Sequence, residues 1–260
     1  MARRTRRVIG ICAALAVAAA MAADIPRDQR RSGADFMSPE TRAMQDDDSG
    51  NPGMLWVLEG EQAWDTPQGA TGVACSGCHG EAADSMRGVA ARHPAFDEAL
   101  ERPVDLATRV NRCRSTHQQA RPLEHESREL LALTAYVAHQ SRGMPAAPPP
   151  DPRLAPFREH GRQLFERRIG QLDLACSACH DDNWGERLGG NPIPQAHPTG
   201  YPLYRLEWQS LGSLQRRLRN CMVGVRAEPY PFGAPEMIDL ELYLMQRAEG
   251  LPIETPAVRP

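Results

Sequence analysis

Apolar residues recur at helical spacing in two stretches of the chain, one ending near residue 140 and the other near residue 247. They are Leu130, Leu133, Thr134 and Val137 in the first stretch, and Met237, Leu240 and Leu244 in the second. Because residues three and four positions apart share one face of an α-helix, each stretch predicts a helix with one buried face. Pro235 suits the first turn of the second helix, and Gly143 and Gly250 suit helix ends.

The two halves of the chain match each other at a spacing of 101 to 108 residues. The matching segments are Gly60-Glu-Gln-Ala-Trp64 and Gly161-Arg-Gln-Leu-Phe165, Arg109-x-x-x-Cys113 and Arg217-x-x-x-Cys221, Glu129 to Tyr136 and Glu236 to Tyr243, and Gly143-x-Pro145 and Gly250-x-Pro252. The same features in the same order indicate that one domain occurs twice.

Composition places the boundaries of these two domains. Residues 145–156 hold six prolines, which favour an extended chain and predict a linker. The predicted domains are therefore residues 54–144 and 157–260. Residues 23–53 are polar and include a run of three aspartates, so they are expected to form an N-terminal arm.

The first 22 residues have the pattern of a secretory signal peptide. Four arginines precede the apolar run from Val8 to Ala20, and small residues follow as a cleavage site. An apolar run of this length is too short to span a bilayer. We expect cleavage, a periplasmic location and no membrane anchor.

The pentapeptide Cys-x-x-Cys-His occurs once in each half. The copies are Cys75-Ser-Gly-Cys78-His79 and Cys176-Ser-Ala-Cys179-His180. In an exported protein this pattern is typical of covalent haem attachment, in which both thiols bind one porphyrin and the histidine binds the iron. A redox dithiol or half of a zinc site would leave the histidine without a role. The sequence predicts two haem c groups.

Helices placed around such motifs resemble the class I cytochrome c fold, in which the first and last helices cross at a glycine–aromatic contact. The resemblance implies an all-α chain made of two tandem class I cytochrome c-like domains. The formal net charge of −3 argues against a nucleic-acid partner.

Two cysteines, Cys113 and Cys221, lie outside the motifs at matching positions of the two halves. A disulfide between them, a pair of buried free thiols and axial thiolate ligation of each iron are all compatible with the spacing. Other candidates for the sixth ligand are His93, His117, His125 and His139 for the first haem, and Met222, Met237 and Met245 for the second.

Three stretches of the second half resemble the SoxA family, the catalytic cytochromes of the periplasmic sulfur-oxidising (Sox) system. They are Cys176 to Gly185, Asn191 to Trp208 and Arg216 to Gly233. The similarity extends over nearly the whole chain after the signal peptide. SoxA proteins are L-cysteine S-thiosulfotransferases, so the resemblance implies that activity here.

The resemblance also implies roles for single residues. Cys75 and Cys78 would bind the first haem, with His79 and Cys113 as axial ligands. The corresponding residues of the second haem would be Cys176, Cys179, His180 and Cys221. Cys221 would be the catalytic sulfur, found as a persulfide in the family, and Arg217 would bind the substrate anion.

The implied partners are SoxX, a smaller cytochrome that forms a heterodimer with SoxA, and SoxY of the SoxYZ carrier. Thiosulfate would be joined to the cysteine at the end of the SoxY C-terminal arm. Two electrons would pass through the haems to SoxX and an acceptor cytochrome c. The alternatives are a non-catalytic dihaem electron carrier and a dihaem peroxidase.

The second half has extra length between its motif and its later cysteine. From Cys179 to Cys221 is 42 positions, whereas from Cys78 to Cys113 is 35. The extra length falls near the loop from Trp184 to Trp208, which is rich in proline and aromatic residues. Long loops often have a function, so we expect a substrate channel, an apolar partner surface or a haem cover here.

Overall fold

The computed structural model describes residues 25–260, and the predicted signal peptide lies outside the described residues. Within that range the chain is mainly helical. The α-helices are α1 (Pro39–Asp46), α2 (Met54–Asp65), α3 (Cys75–His79), α4 (Ala82–Ser85), α5 (Leu106–Cys113), α6 (Arg128–His139), α7 (Ala155–Glu166), α8 (Cys176–His180), α9 (Leu214–Gly224) and α10 (Pro235–Arg247). A π-helix, Arg114–Gln118, follows α5 directly.

Short β-strands accompany the helices, which a purely all-α expectation does not include. They are β1 (Ala95–Asp97), β2 (Arg102–Val104), β3 (Arg187–Leu188), β4 (Asn191–Pro192), β5 (Leu203–Arg205), β6 (Ser210–Gly212) and β7 (Val258–Arg259). Strands β1 and β2 form a hairpin, as do β3 and β4, while β5 lies between antiparallel β6 and parallel β7. Such short strands leave no readable alternation in the sequence.

The first and last long helices of each half cross at a glycine. A Cβ added to Gly60 of α2 would lie 2.2 Å from the carbonyl oxygen of Ala132 in α6. A Cβ added to Gly161 of α7 would lie 2.1 Å from the carbonyl oxygen of Asp239 in α10. The two backbones approach this closely because glycine has no side chain.

Each half also contributes a β-hairpin that packs against the helices of the other half. Tyr204 of β5 meets Trp56 of α2 edge to face, with ring centroids 5.9 Å apart, and is buried with Leu211 against α2 and α6. In the opposite direction, strand β2 of the first half contacts α10 of the second. The halves are therefore interlocked.

Reciprocal hydrogen bonds join matching segments of the two halves. The amide of Gly143 donates to the carbonyl of Ile253 (2.8 Å), and the amide of Gly250 donates to the carbonyl of Ala146 (2.9 Å). The amides of Ala146 and Ile253 likewise donate to Leu251 and Met144 (both 2.8 Å). Each of these four hydrogen bonds has a counterpart in which the donor and acceptor come from the opposite halves. The two halves are therefore related by an approximate two-fold axis at this contact.

The N-terminal segment from residue 25 to residue 53 folds over the second half. Oε1 of Gln195 accepts from the amide of Arg31 (2.8 Å), and the Asn51 side chain donates to the carbonyl of Pro256 (2.8 Å). Helix α1 packs against β7. Between residues 25 and 260, no helix has the length and apolar character needed to cross a membrane.

A cavity of about 100 Å³ lies between the halves, where matching residues such as Thr134 and Glu241 face each other. Removal from water raises the pKa of Glu241 well above its usual value of 4.5, and Asp105 adds to the rise. A hydrogen bond from Gln215 acts the other way. Glu241 therefore keeps its proton to a higher pH than an exposed glutamate does.

Glu241→Gln is expected to stabilise the protein at neutral pH. As pH rises above about 4.5, the unfolded chain loses the Glu241 proton but the folded protein retains it, so folding becomes less favourable. Glutamine has no titrating proton, so the variant does not lose folding stability in this way as pH rises. The melting temperature of the variant should exceed that of the wild type at pH 7 and converge with it near pH 4. The exposed control, Glu129→Gln, should show no such pH-dependent gain.

Candidate functional site

A cavity of about 380 Å³ in the first half contains all four predicted haem residues. Cys75, Cys78 and His79 of α3 line one side, and Cys113 at the end of α5 lines another. The volume falls within the roughly 300–1,000 Å³ of typical cofactor sites. Most of the remaining wall is apolar, including Trp64, Val73, Val89, Leu133 and Val137. This cavity fits a porphyrin held by two thioethers, with an imidazole and a thiolate available as axial ligands.

Three of the four motif cysteines have raised thiol pKa values. Burial raises the pKa of Cys176 to about 12, with the nearby Cys221 adding to the shift, and burial also raises the pKa of Cys75 and Cys179. A redox dithiol needs the opposite, a lowered thiol pKa. A zinc site needs four converging ligands, and no group of even three candidate ligands occurs within residues 25–260. Both alternatives to haem attachment are therefore disfavoured.

The two later cysteines lie beside different motifs. We call the cavity of the first half the first pocket, and the surroundings of Cys176, Cys179, His180 and Cys221 the second pocket. The charge of Cys113 acts on Cys75, while that of Cys221 acts on Cys176 and Cys179. Both are free thiols in the structure, with no disulfide between them. Each half thus brings one cysteine from a later helix to its own Cys-x-x-Cys-His motif.

The histidine of the second motif is held in the form that binds iron. Nδ1 of His180 lies 2.6 Å from the carbonyl oxygen of Pro194, which can only accept, so Nδ1 bears the proton and Nε2 is left with its lone pair. Burial lowers the pKa of His180 to about 4, and the charges of Arg217 and Arg247 contribute. Among residues 25–260 the ring of His79 has no hydrogen-bond partner, but it lies 5.7 Å from the Trp64 ring.

The structure separates most of the rival ligands from the first pocket. Only His117 lines the cavity that contains Cys113. His93 lies at the cavity between the halves, His125 stacks on Phe232, and Nδ1 of His139 lies 3.3 Å from the carbonyl of Thr255. In the second half, Met222 and Met237 are buried in the same cluster as Phe165, and Met245 packs with Ile253.

Arg109 and Arg217 occupy matching positions but have different surroundings. Nη1 of Arg109 lies 2.6 Å from the buried carboxylate of Asp97, which also pairs with Arg112 at 2.9 Å. The Arg217 side chain makes no hydrogen bond or ion pair with any residue of the described chain. It lies one helical turn before Cys221 on α9, so the two side chains share one face. The guanidinium of Arg217 is thus available to an anion next to Cys221.

A buried ion pair that the sequence did not reveal supports the second motif. Arg247 of α10 pairs with Asp181, the residue after His180, and its guanidinium lies 4.6 Å from the Phe165 ring centroid. The Phe165 ring is in turn 6.5 Å from the His180 ring. No motif contains Arg247, and its only signal was a charge within an apolar helix.

The extra length of the second half is an exposed hairpin. Matching residues are 101 positions apart at the motifs and 108 apart between His93/Tyr201 and Cys113/Cys221, so the additional residues lie around β3 and β4. Tyr204 is buried, and Tyr201, Trp184 and Trp208 are only partly exposed. Trp184, Tyr201 and Trp208 can therefore contribute to an apolar partner surface while Tyr204 cannot, and that surface stays a prediction. The exposed apolar residues of the second half are Leu172, Leu188 and Val223.

The fold and its cysteine pockets define a c-type cytochrome with covalently bound haem. In agreement, residues 59–146 match the family model of the SoxA/TsdA cytochrome c domain. The L-cysteine S-thiosulfotransferase subunit SoxA of Pseudaminobacter salicylatoxidans is 37% identical over 235 residues, or 90% of this chain and 82% of that protein. The corresponding subunit of Rhodovulum sulfidophilum is 35% identical over 89% of this chain and 81% of its own.

A solved structure agrees with these sequence relatives. The crystal structure of SoxXA from P. pantotrophus superposes with a TM-score of 0.85 at 32% identity, covering 89% of this chain and 87% of that one. The chain belongs to the SoxA family of L-cysteine S-thiosulfotransferase subunits.

Proposed function

We propose that the chain is the catalytic subunit of a periplasmic L-cysteine S-thiosulfotransferase that joins thiosulfate to the C-terminal-arm cysteine of SoxY. In this proposal the halves are two tandem class I cytochrome c domains, each with one covalent haem. His79 and Cys113 are the axial ligands in the first, and His180 and Cys221 in the second. Membership of the SoxA family and the two cysteine pockets support it.

The proposed reaction forms a bond between two sulfur atoms. The SoxY thiol and thiosulfate together give an S-sulfonated persulfide, SoxY–S–S–SO₃⁻, one proton and two electrons. The electrons leave toward SoxX and an acceptor cytochrome c. Bound haem supplies the one-electron redox chemistry that such a reaction requires.

The residues of the second pocket have separate roles in this reaction. The Cys221 thiolate would join thiosulfate as Cys221–S–S–SO₃⁻ with loss of the two electrons to the acceptors. The SoxY thiolate would then attack the sulfur bonded to Cys221, forming SoxY–S–S–SO₃⁻ and releasing the Cys221 thiolate. Arg217 binds the sulfonate end of thiosulfate, since a guanidinium offers both charge and a planar pair of donors. The Pro194 carbonyl fixes the orientation of His180.

One observation is the main support for catalysis over simple electron transfer. Arg109 in the first half is neutralised by Asp97, whereas Arg217 in the second half has no partner among residues 25–260. An unpaired guanidinium at this matched position, one helical turn before Cys221, suits an enzyme that acts on a dianion.

SoxX is the proposed partner, forming a heterodimer with this chain. The similar solved structure is of SoxXA. Leu172, Leu188 and Val223 leave apolar surface exposed on the half that contains Cys221. Covering apolar surface at a partner interface is favourable.

Arg217→Ala is expected to lower thiosulfate-dependent reduction of the acceptor cytochrome about ten- to a hundredfold, with haem content near normal. Loss of a charge-assisted hydrogen bond costs about 1.5–3 kcal/mol. Arg217→Lys should recover part of the activity, because a point charge lacks the fork geometry. The assay contains the complex with SoxX, SoxYZ, thiosulfate and cytochrome c.

The matched control is Arg216→Ala, on the same helix but stacked on Trp208 at 4.2 Å. It should retain activity. Full activity of Arg217→Ala with saturating SoxYZ and thiosulfate would contradict the proposed role. A second outcome would contradict the proposed activity itself. If the wild-type protein transferred no thiosulfate to SoxY, the chain would be a dihaem electron carrier.

A further inference from the structure

The two hairpins that precede α5 and α9 are the same structural unit. Asp97 ends β1 and Arg205 ends β5, and each lies 12 positions before the arginine and 16 before the cysteine of Arg-x-x-x-Cys. The strand registers agree as well, since Asp97 pairs with Arg102 and Arg205 with Ser210. Arg205 therefore occupies in the second half the place that Asp97 occupies in the first.

The charge at this shared place is inverted between the halves. In the first half a carboxylate, 3% exposed, neutralises Arg109 and Arg112. In the second half a guanidinium stands there, and its charge acts on Arg217 and on Cys221. Asp97 thus neutralises the arginine of Arg-x-x-x-Cys in the first half, whereas in the second half Arg205 adds a second positive charge near Arg217 and Cys221.

Arg205 is poorly neutralised by its neighbours. Its side chain is only 10% exposed, and its one carboxylate contact is with Glu207, 3.1 Å away and itself 66% exposed. The Nε atom is buried and has no hydrogen-bond partner within the described chain. Trp208 packs on its guanidinium at 5.2 Å. Burial, and after it the charge of Arg217, lowers the pKa of Arg205.

Buried like charges are unfavourable unless an anion compensates them. We propose that Arg205 and Arg217 together bind the sulfonate group of thiosulfate, so that the second pocket is a two-arginine oxyanion site. This inference rests on the proposed function and assigns the substrate a second cationic contact. The three oxygens of a sulfonate can accept from two guanidinium forks at once. In the first half Asp97 takes the place of such an anion beside Arg109.

The test is binding of thiosulfate by the haem-loaded complex with SoxX, measured by anaerobic equilibrium dialysis with reduced haems, so that no turnover occurs. Arg205→Gln should raise the dissociation constant, and the KM for thiosulfate, about ten- to a hundredfold. The kcat at saturating thiosulfate should change less than about threefold. Arg205→Asp should abolish measurable binding, because it restores the ion pair of the first half. Arg205→Lys should bind better than Arg205→Gln.

Arg216→Gln is the matched control, since the Arg216 guanidinium also packs on Trp208, at 4.2 Å, but has a carboxylate, Glu126, 4.0 Å away. Its dissociation constant should equal that of the wild type within about threefold. Wild-type binding by Arg205→Gln would overturn the inference. The inference would also be overturned if Arg205→Gln left the KM for thiosulfate unchanged but caused haem loss or shifted the haem midpoint potential. That result would indicate that Arg205 pairs with a haem propionate instead. These two outcomes can be told apart from a failure of the proposed function. In that case the wild-type protein itself would neither bind thiosulfate nor transfer it to SoxY.

Discussion

Replacing Cys221 with alanine is expected to abolish thiosulfate-dependent electron transfer to the acceptor cytochrome. The change removes the sulfur that receives the transferred group, and no other cysteine of the second pocket can replace it, because Cys176 and Cys179 would be bound to porphyrin. We expect a fall of at least a thousandfold, corresponding to about 4 kcal/mol in the activation barrier. The measurement is the rate of cytochrome reduction together with the mass of SoxY, which should gain no thiosulfate.

The same substitution at Cys113 provides the matched control. The two cysteines lie in separate pockets, so Cys113→Ala should alter the absorption and electron spin resonance signals of one haem and Cys221→Ala those of the other. Changes in both haems from either variant would contradict this assignment. Retention of SoxY modification by Cys221→Ala would show that the catalytic sulfur lies elsewhere.

Gly161→Val is expected to destabilise the protein strongly. A Cβ at this position would lie 2.1 Å from a backbone carbonyl oxygen of α10, and a carbonyl within a helix cannot move aside as a side chain can. The helices must separate, which costs at least the upper end of the 1–3 kcal/mol typical of overpacking. For a chain of this size we expect the melting temperature to fall by about 6–12 °C.

Gly224→Ala is the control for this prediction. Gly224 is also helical, but a Cβ there meets no atom within 4 Å. Its melting temperature should match or slightly exceed that of the wild type, since alanine favours helix. Equal stability of Gly161→Val and Gly224→Ala would mean that the α7–α10 crossing contributes little to the fold.

The long helices and the two motifs could be predicted from the sequence because their signals are local. Leu130 to Val137 and Met237 to Leu244 follow the helical period, and α6 and α10 lie at these residues. The strands could not be predicted in this way. Strand β7 consists of Val258 and Arg259 and pairs with Tyr204 and Arg205 some 54 positions earlier, so only the tertiary fold defines it.

The candidate site was predictable only in part, for a related reason. Cys221 and Arg217 follow from a motif and its repeat, whereas Arg205 and Arg247 act through contacts that no short pattern encodes. A signal for Arg205 did exist, since it lies as far before Arg217 as Asp97 lies before Arg109. It becomes meaningful only once both residues are known to end equivalent strands and Asp97 is known to be paired.

The reciprocal hydrogen bonds between Gly143–Ala146 and Gly250–Ile253 give the chain the organisation of a symmetric homodimer fused into one polypeptide. Two identical subunits must have the same residue at equivalent positions, so a true homodimer could not place Asp97 in one pocket and Arg205 in the other. Fusion removes that constraint, and each copy can change alone. The covalent link between the halves thus allows equivalent positions beside the two motifs to have opposite charges.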